Sequence, residues 1–365
     1  MRVVVLNGPN LNLLGSREPE VYGSATLPDL ERQISDWAGS LGVEATFFQS
    51  NHEGELVEAI HDAAGSDGIV INPGALTHTS RALGDALHSV AAPAVEVHIS
   101  NVKERESWRA ISLVSPACVR TIYGRGIGGY RDAIRHLVNR AAVPSETLRY
   151  GPHPDNVGDL RLPAAGAAGL VALVHGGFWR HQYERDSTET LAVDLVRRGW
   201  ATWNIEYRRL GRGGGWPGSG HDVKLALDFI RQLPEMGQLT LAAIGHSAGG
   251  HLALWATNKP SAGPIRLTVG LAAVTDLASL EGSGGAGSGE AKRLLSSGAP
   301  SVLEAPPHTL LVHGEDDELV PVLHSTRLAD TARVEIFPGL GHFDLLDPAR
   351  EHWSTVFAAL ENAEN

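Results

Sequence analysis

A single cysteine, Cys118, stands among 365 residues. One thiol excludes any intrachain disulfide and suits a reducing compartment, so a cytoplasmic location is expected. Long hydrophobic runs are also missing: no uninterrupted apolar stretch approaches the roughly 20 residues that cross a bilayer. The opening Met1-Arg2-Val3-Val4-Val5-Leu6 is too short for the core of a secretory signal and runs directly into Asn7-Gly8-Pro9-Asn10. No membrane partner is expected. Positive charge is in deficit, with 30 Lys and Arg against 42 Asp and Glu for a net charge of −12. No basic stripe with interleaved aromatics is present, which argues against nucleic acid as a partner. A phosphate-binding P-loop is absent, and so is metal-ligand spacing, since His78 and His98 fall on separate predicted elements. Small-molecule chemistry without metal or cofactor is the expectation.

What is present suits two domains, each long enough to bury its own core. Val3–Leu6, Ala45–Gln49, Gly68–Asn72, Ala94–His98 and Val119–Tyr123 read as buried parallel strands. Helices fit Leu27–Leu41, Glu53–Ala64, Ser80–Val90 and Tyr130–Ala142. A second series places strands at Leu170–His175, Ala201–Ile205, Leu239–Ile244, Leu267–Leu271, Thr309–His313 and Arg333–Phe337. Between the two series, Val143–Asp159 is polar and rich in Pro and Gly, which predicts a linker of loops with few packed residues. The expected organisation is therefore two α/β domains, 1–143 and 144–365, each with a largely parallel sheet covered on both faces. No repeat relates the halves, so they read as unlike units joined by fusion. Gly282–Gly289, rich in Gly and Ser, reads as a mobile surface loop.

In the second half, Gly245-His246-Ser247-Ala248-Gly249 joins a strand to the helical pattern Gly250-His251-Leu252-Ala253-Leu254-Trp255. Small residues on both sides let the backbone turn sharply enough to expose a nucleophilic serine. A chance loop is the alternative for that motif alone, but three features agree with it in chain order. His175-Gly176-Gly177 ends an earlier strand, where backbone N–H groups at Gly176 and Gly177, with that of Ala248, suit an oxyanion. His313-Gly314-Glu315-Asp316-Asp317 ends a strand with acids, one of which can orient a histidine. Gly341-His342-Phe343 follows the last strand, where the general base belongs. His246 and His251 sit on or beside the turn itself and read as packing or pocket residues. Trp179, Trp203 and Trp216 either line an acyl or aromatic pocket or belong to the core.

Residues 147–362 thus resemble the α/β-hydrolases. His175-Gly176-Gly177-Phe178-Trp179, the stretch from Gly245 to Leu252, and His342-Phe343-Asp344 resemble the kynurenine formamidase and small carboxylesterase branch. The family pattern HGxxDxxVP aligns its acid with Asp317 rather than Asp316. The resemblance implies that Ser247 attacks an acyl carbonyl while His342, oriented by Asp317, takes its proton and then protonates the leaving group.

In the first half, polar clusters stand at successive strand ends. They are Asn7-Gly8-Pro9-Asn10, Asn72 to Ser80, and Glu96-Val97-His98-Ile99-Ser100-Asn101, with Arg17 to Gly23 between the first strand and helix. Strand ends of a parallel sheet are where such folds bind ligands, and these side chains suit a polyhydroxylated anion. The motifs GPNLNLLG, REPEVYG, INPGALTHTS and EVHISN make residues 1–142 similar to the type II 3-dehydroquinate dehydratases. That resemblance implies a flavodoxin-like fold, a trimer-based assembly reaching a dodecamer, and cofactor-free dehydration of 3-dehydroquinate to 3-dehydroshikimate.

It makes Tyr22 the base, kept as tyrosinate by Arg17, since a free phenol has a pKa of about 10. It makes His98 the general acid, oriented by Glu96, and Asn10 the group that stabilises the enolate. Asn72, His78 and Arg109 would hold substrate hydroxyls, and the backbone at Ile99 and Ser100 the carboxylate. Asp85 would come from a neighbouring subunit, and Arg105 would fix a lid. The alternative is that Glu96 and Asp85 are surface or interface acids and that Arg105 and Arg109 form a solvated helix face. Lys103, Arg120 and Arg125 depart from the family pattern and bear on subunit packing more than on chemistry. The combined expectation is a bifunctional enzyme whose hydrolase acts on a small ester or amide, such as an acyl ester of a quinate- or shikimate-like compound. Alternatives are a formylkynurenine formamidase, or one domain serving only as scaffold or binding module.

Overall fold

Strands whose residues are all buried form the centre of each sheet, Gly68-Ile69-Val70-Ile71-Asn72 in the first half and Leu170-Val171-Ala172-Leu173-Val174 in the second. Each such Val, Leu or Ile contributes roughly 1.5–3 kcal/mol by leaving water. The computed structural model describes residues 1–16, 24–260 and 263–364, in two units, Met1–Ala142 and Val143–Asn365.

The first unit carries five parallel strands: β1 (Arg2–Asn7), β2 (Glu44–Gln49), β3 (Gly68–Asn72), β4 (Ala94–His98) and β5 (Arg120–Tyr123). Their order is β2-β1-β3-β4-β5, the flavodoxin-like arrangement. Helices α1 (Leu27–Ser40) and α4 (Gly128–Ala142) cover one face, and α2 (Glu53–Asp62) and α3 (Arg81–Ser89) the other. Helix α1 starts with a capping box between Thr26 and Asp29 and buries Leu30, Ile34 and Ala38 at helical spacing; such a cap is worth about 1 kcal/mol. The strand order reverses direction between β1 and β3, which opens a crevice at their carboxyl ends. Asn7 and Asn72 are register partners at that point.

The second unit holds an eight-stranded sheet in the order β13-β12-β11-β10-β8-β9-β7-β6. Its strands are β6 (Glu146–Arg149), β7 (Val157–Arg161), β8 (Leu170–Val174), β9 (Ala201–Ile205), β10 (Leu241–His246), β11 (Ile265–Leu271), β12 (Thr309–Gly314) and β13 (Arg333–Phe337). All neighbours are parallel except β6 with β7 and β7 with β9. Helices α5 (Glu189–Arg197) and α11 (His352–Glu364) pack on one face. On the other lie α6 (Gly218–Gln232), α7 (Ala248–Thr257), α8 (Leu277–Gly282) and α9 (Ser288–Ser296), while α10 (Leu323–Thr326) is a single turn after β12. This is an α/β-hydrolase architecture.

Two expectations are corrected. The polar passage 143–159 is not a string of loops: it contributes the β6–β7 hairpin, with Tyr150, Asp155, Asn156 and Asp159 buried. Gly151, Pro152 and Pro154 fall in the connection, and the buried polar residues are paired; Asp159, for example, takes Arg185 Nε at 2.7 Å. Gly282–Gly289 is only in part a loop, because Gly282 ends α8 and α9 begins at Ser288. No helix among the described residues is long and apolar enough to cross a membrane.

Candidate active sites

In the first unit, a cleft opens at the carboxyl ends of β1, β3 and β4. Its lining includes Asn10, Asn72, His78, His98, Ile99, Ser100, Arg105 and Arg109. Gly8 makes the crevice possible, since a Cβ there would lie 2.5 Å from the Pro73 carbonyl oxygen. Asn10 follows in the left-handed region (φ 69), where Asn is tolerated, and its N–H donates to Asn51 Oδ1 at 2.8 Å. The Asn72 amide donates to Tyr130 Oη at 2.9 Å and accepts from Gly74 N–H at 3.2 Å, while Tyr130 donates to Asn7 Oδ1 at 2.7 Å. Strand ends and α4 are thereby tied into one frame.

His98 and Glu96, two apart on β4, form a buried pair with Nε2 2.8 Å from Oε1. Thr77, Ser112 and Thr121 also donate hydroxyls to that carboxylate. Burial alone would raise the Glu96 pKa, but His98 with the Thr77 and Ser112 hydroxyls outweighs it and holds the group below its ordinary value. Glu96 is 0% exposed, which excludes the surface-acid reading. His78 donates from Nδ1 to the Ile111 carbonyl at 2.7 Å, leaving Nε2 as an acceptor, and desolvation lowers its pKa. Arg109 and Arg105 flank Glu106 at 2.7 and 3.8 Å on short 3-10 turns, not on a solvated helix face. The carbonyls of Ile99 and Ser100 accept from Gly126 and Gly124. Asp85 lies exposed on α3 and is not among the residues lining the cleft. Arg17 and Tyr22 lie outside the described residues. Of the departures, Lys103 stacks 4.0 Å over the Tyr123 ring, Arg125 pairs with Asp132 at 3.1 Å, and Arg120 is buried on β5.

In the second unit, Ser247 stands between β10 and α7 at φ 54, ψ −120. A non-glycine residue held there costs roughly 1–3 kcal/mol. Its N–H donates to Leu271 O at 2.8 Å, and its carbonyl accepts from His251 and Val274 at 3.2 Å. Gly249 is obligatory, since a Cβ would come 2.1 Å from Val174 O. Ala248 opens α7, so its N–H has no partner within the helix. Gly176 lies against Ser247, its virtual Cβ 3.0 Å from Ser247 Cβ.

His175 donates from Nδ1 to the Gly176 carbonyl at 2.8 Å. The carbonyl of Gly176 and the N–H of Gly177 belong to one planar peptide and point oppositely, so this grip sets the direction of the Gly177 N–H. The other nitrogen of His175 lies 2.9 Å from Glu206 Oε1. Burial would raise the Glu206 pKa, but Arg209 and His175 hold it below the usual carboxylate range.

His342 Nδ1 meets Asp317 Oδ2 at 2.6 Å, and Asp317 Oδ1 accepts from the Leu319 and Val320 N–H groups. Desolvation opposes ionisation of Asp317, but His313 and His342 outweigh it and depress its pKa. Asp316 is exposed, so of the two acids it is Asp317 that faces His342. His246 is more than packing: its Nε2 donates to the His342 carbonyl at 3.0 Å, and burial lowers its pKa to about 3. Trp203 is a core residue on β9, donating to Ala226 O at 3.2 Å. Trp179 and Trp216 both pack edge-on to His251. His313 and Glu206 stand at strand ends, as many structural residues do, and Thr77, Ser112 and Thr121 are scattered over a 3-10 turn, a loop and β5, so the sequence singles out none of them.

A family model for class II dehydroquinases matches residues 1–138, and a second, BD-FAE, matches residues 159–280. The 3-dehydroquinate dehydratase of Bacillus pumilus is 53% identical over 143 residues, covering 39% of this chain and 97% of that protein. The corresponding protein of Herminiimonas arsenicoxydans is 57% identical over 140 residues, covering 38% of this chain and 97% of that protein. Among solved structures, esterase B from Lactobacillus rhamnosis has a TM-score of 0.54 at 21% identity, covering 64% of this chain and 90% of that one. At that identity the likeness establishes a common fold.

Proposed function

Residues 1–138 belong to the class II dehydroquinase family, and from that premise we propose that the first unit removes water from 3-dehydroquinate to give 3-dehydroshikimate. Tyr22, as tyrosinate beside Arg17, takes the C2 proton; Asn10 stabilises the enolate; His98 protonates the departing hydroxyl, and Glu96 orients it. Asn72, His78 and Arg109 hold hydroxyls, the backbone of Ile99 and Ser100 holds the carboxylate, and Arg105 steadies the loop over the site. What supports this most is the buried His98–Glu96 pair opening on a cleft shared with Asn10, His78 and Arg109. Assembly is trimer-based, reaching a dodecamer, with Asp85 completing a neighbouring subunit's site; sedimentation of the full chain tests it.

The second unit hydrolyses a small ester or amide. Ser247 attacks the carbonyl, His342 moves the proton from serine to leaving group, and Asp317 holds the histidine; Gly176, Gly177 and Ala248 N–H groups stabilise the oxyanion. The reading rests on the 2.6 Å Asp317–His342 pair standing with a strained serine at a strand-to-helix turn. Fusion to a dehydroquinase favours an acyl ester of a quinate- or shikimate-like compound, so that one unit supplies the other.

Paired assays on Tyr22→Phe and Ser247→Ala test the scheme. Each variant is expected to lose one activity by at least about 10³-fold and to keep the other. A wild-type chain without dehydratase activity would leave the first unit as a scaffold. Turnover of formylkynurenine, with none of acylated quinate, shikimate or dehydroquinate, would replace the substrate assignment.

A further inference from the structure

Two buried polar atoms beside the Ser247 turn lack a protein partner, and they are chemically complementary. Trp179 Nε1 and His251 Nε2 make no hydrogen bond among the described residues, although the side chains are only 1% and 0% exposed. Indole nitrogen can only donate. The state of His251 follows from its other nitrogen: Nδ1 lies 2.9 Å from the Val274 carbonyl, which can only accept, so Nδ1 carries the proton and Nε2 presents a lone pair. Burial keeps the ring neutral, with its pKa pushed down to about 4. The two rings meet edge to face with centroids 5.4 Å apart. A buried donor and a buried acceptor, each unmatched, call for a group that can serve both.

Their positions tie them to the nucleophile. His251 stands one turn beyond Ser247 on α7, and its N–H donates to the Ser247 carbonyl. Trp179 follows Gly177 by two residues, on the same loop as the oxyanion glycines. Phe178 and Trp179 are both left-handed, at φ 53 and 57, an unfavourable state for two aromatic residues in succession. The loop is pinned there: Arg180 N–H donates to Gly177 O, and Leu210 N–H to Trp179 O, each at 2.9 Å. His342 belongs to a different aromatic group, with His246 and Phe343 as ring neighbours. On the reading that His342 protonates the leaving group, that group lies on the His342 side, which leaves the side of Trp179 and His251 to the acyl portion.

We propose that Trp179 Nε1 and His251 Nε2 form a hydroxyl-binding subsite that selects acyl groups carrying an alcohol hydroxyl near the scissile carbonyl. A single hydroxyl satisfies both atoms: its oxygen accepts from Trp179, and its hydrogen goes to His251. A methylene leaves both unmatched, and a ketone or carboxylate oxygen offers no hydrogen to His251. The subsite rests on the reading of Ser247 as nucleophile.

The test uses the full chain with 4-nitrophenyl butanoate and its 2-, 3- and 4-hydroxy derivatives, alongside fluorophosphonate labelling of Ser247. At least one hydroxy ester is expected to exceed the parent in kcat/KM by about tenfold. Trp179→Phe and His251→Gln are each expected to bring that ratio within about twofold of unity. A labelled wild type that hydrolyses butanoate with no hydroxyl preference overturns the subsite, including the case in which the two atoms hold structural water only. A preference that survives both substitutions overturns the assignment to these atoms. A chain that is neither labelled nor active overturns the hydrolase reading itself, and the subsite with it. The wild-type ratio alone decides if the variants fail to fold.

Discussion

His313 and His342 direct ring nitrogens at the same atom: Oδ2 of Asp317 lies 3.3 Å from His313 Nε2 and 2.6 Å from His342 Nδ1. His313 also donates from Nε2 to Val320 O at 2.8 Å, and its Nδ1 meets Ser325 Oγ at 2.7 Å, which fixes the ring and its tautomer. The Asp317 carboxylate is therefore shared between two histidines.

Removing that second donor leaves Asp317 with His342 as its one histidine partner. In His313→Phe, kcat/KM on 4-nitrophenyl acetate is expected to fall by about tenfold, because the carboxylate loses a contact that fixes its orientation. His313→Gln, which keeps an N–H, is expected to restore most of the wild-type value. Equal values in all three proteins would show that His313 only packs.

Glu206→Gln is expected to destabilise the second unit by roughly 3–5 kcal/mol, because Arg209 and His175 lose the charge that compensates them in a buried setting. Hydrolase kcat should fall as well, since His175 sets the Gly176–Gly177 peptide. Urea unfolding and steady-state kinetics on 4-nitrophenyl acetate read the two effects. A stable variant with wild-type kcat would count against the coupling.

Glu96 links stability to pH. Its folded pKa lies below the ordinary 4.5, so its ionised form adds stability above that pH, and the gain is lost as pH falls through the depressed value. Hydrogen-exchange protection factors in β3 and β4, which take out the pH dependence of the intrinsic amide rate, should therefore fall below about pH 4.5 in the wild type. Glu96→Gln is expected to start less protected and to change less over the same range.

Gly8→Ala should cut dehydratase activity by about 100-fold, since a Cβ 2.5 Å from Pro73 O forces apart the two strand-end loops that carry Asn10 and Asn72. Hydrolase activity of the same protein is the control. Retained dehydratase activity would mean that the loops can shift without harm to the site.

Much of the fold is legible in the sequence. Strands such as Gly68–Asn72 and Leu170–Val174 are short apolar runs with punctuated ends, and α1 declares itself through Thr26, Asp29 and its apolar spacing. The G-x-S-x-G turn is legible for the same reason, because its glycines and serine lie within five residues. The β6–β7 hairpin was hidden: its polar side chains look like loop until Asp159 is seen paired with Arg185, 26 positions away.

Local chemistry along the chain is enough to single out Ser247, His342 and His98 as candidates, because each stands at a strand end or turn with a short, specific neighbourhood. Partners are another matter. That Asp317 rather than Asp316 faces His342 depends on a turn whose N–H groups at Leu319 and Val320 seize one oxygen and aim the other across 25 residues. Glu206 reaches His175 across 31 residues, and Trp179 meets His251 across the base of the elbow. Such pairs leave no periodic trace, since hydrogen bonds and buried charges are satisfied by whatever the fold brings near, not by neighbours in the chain.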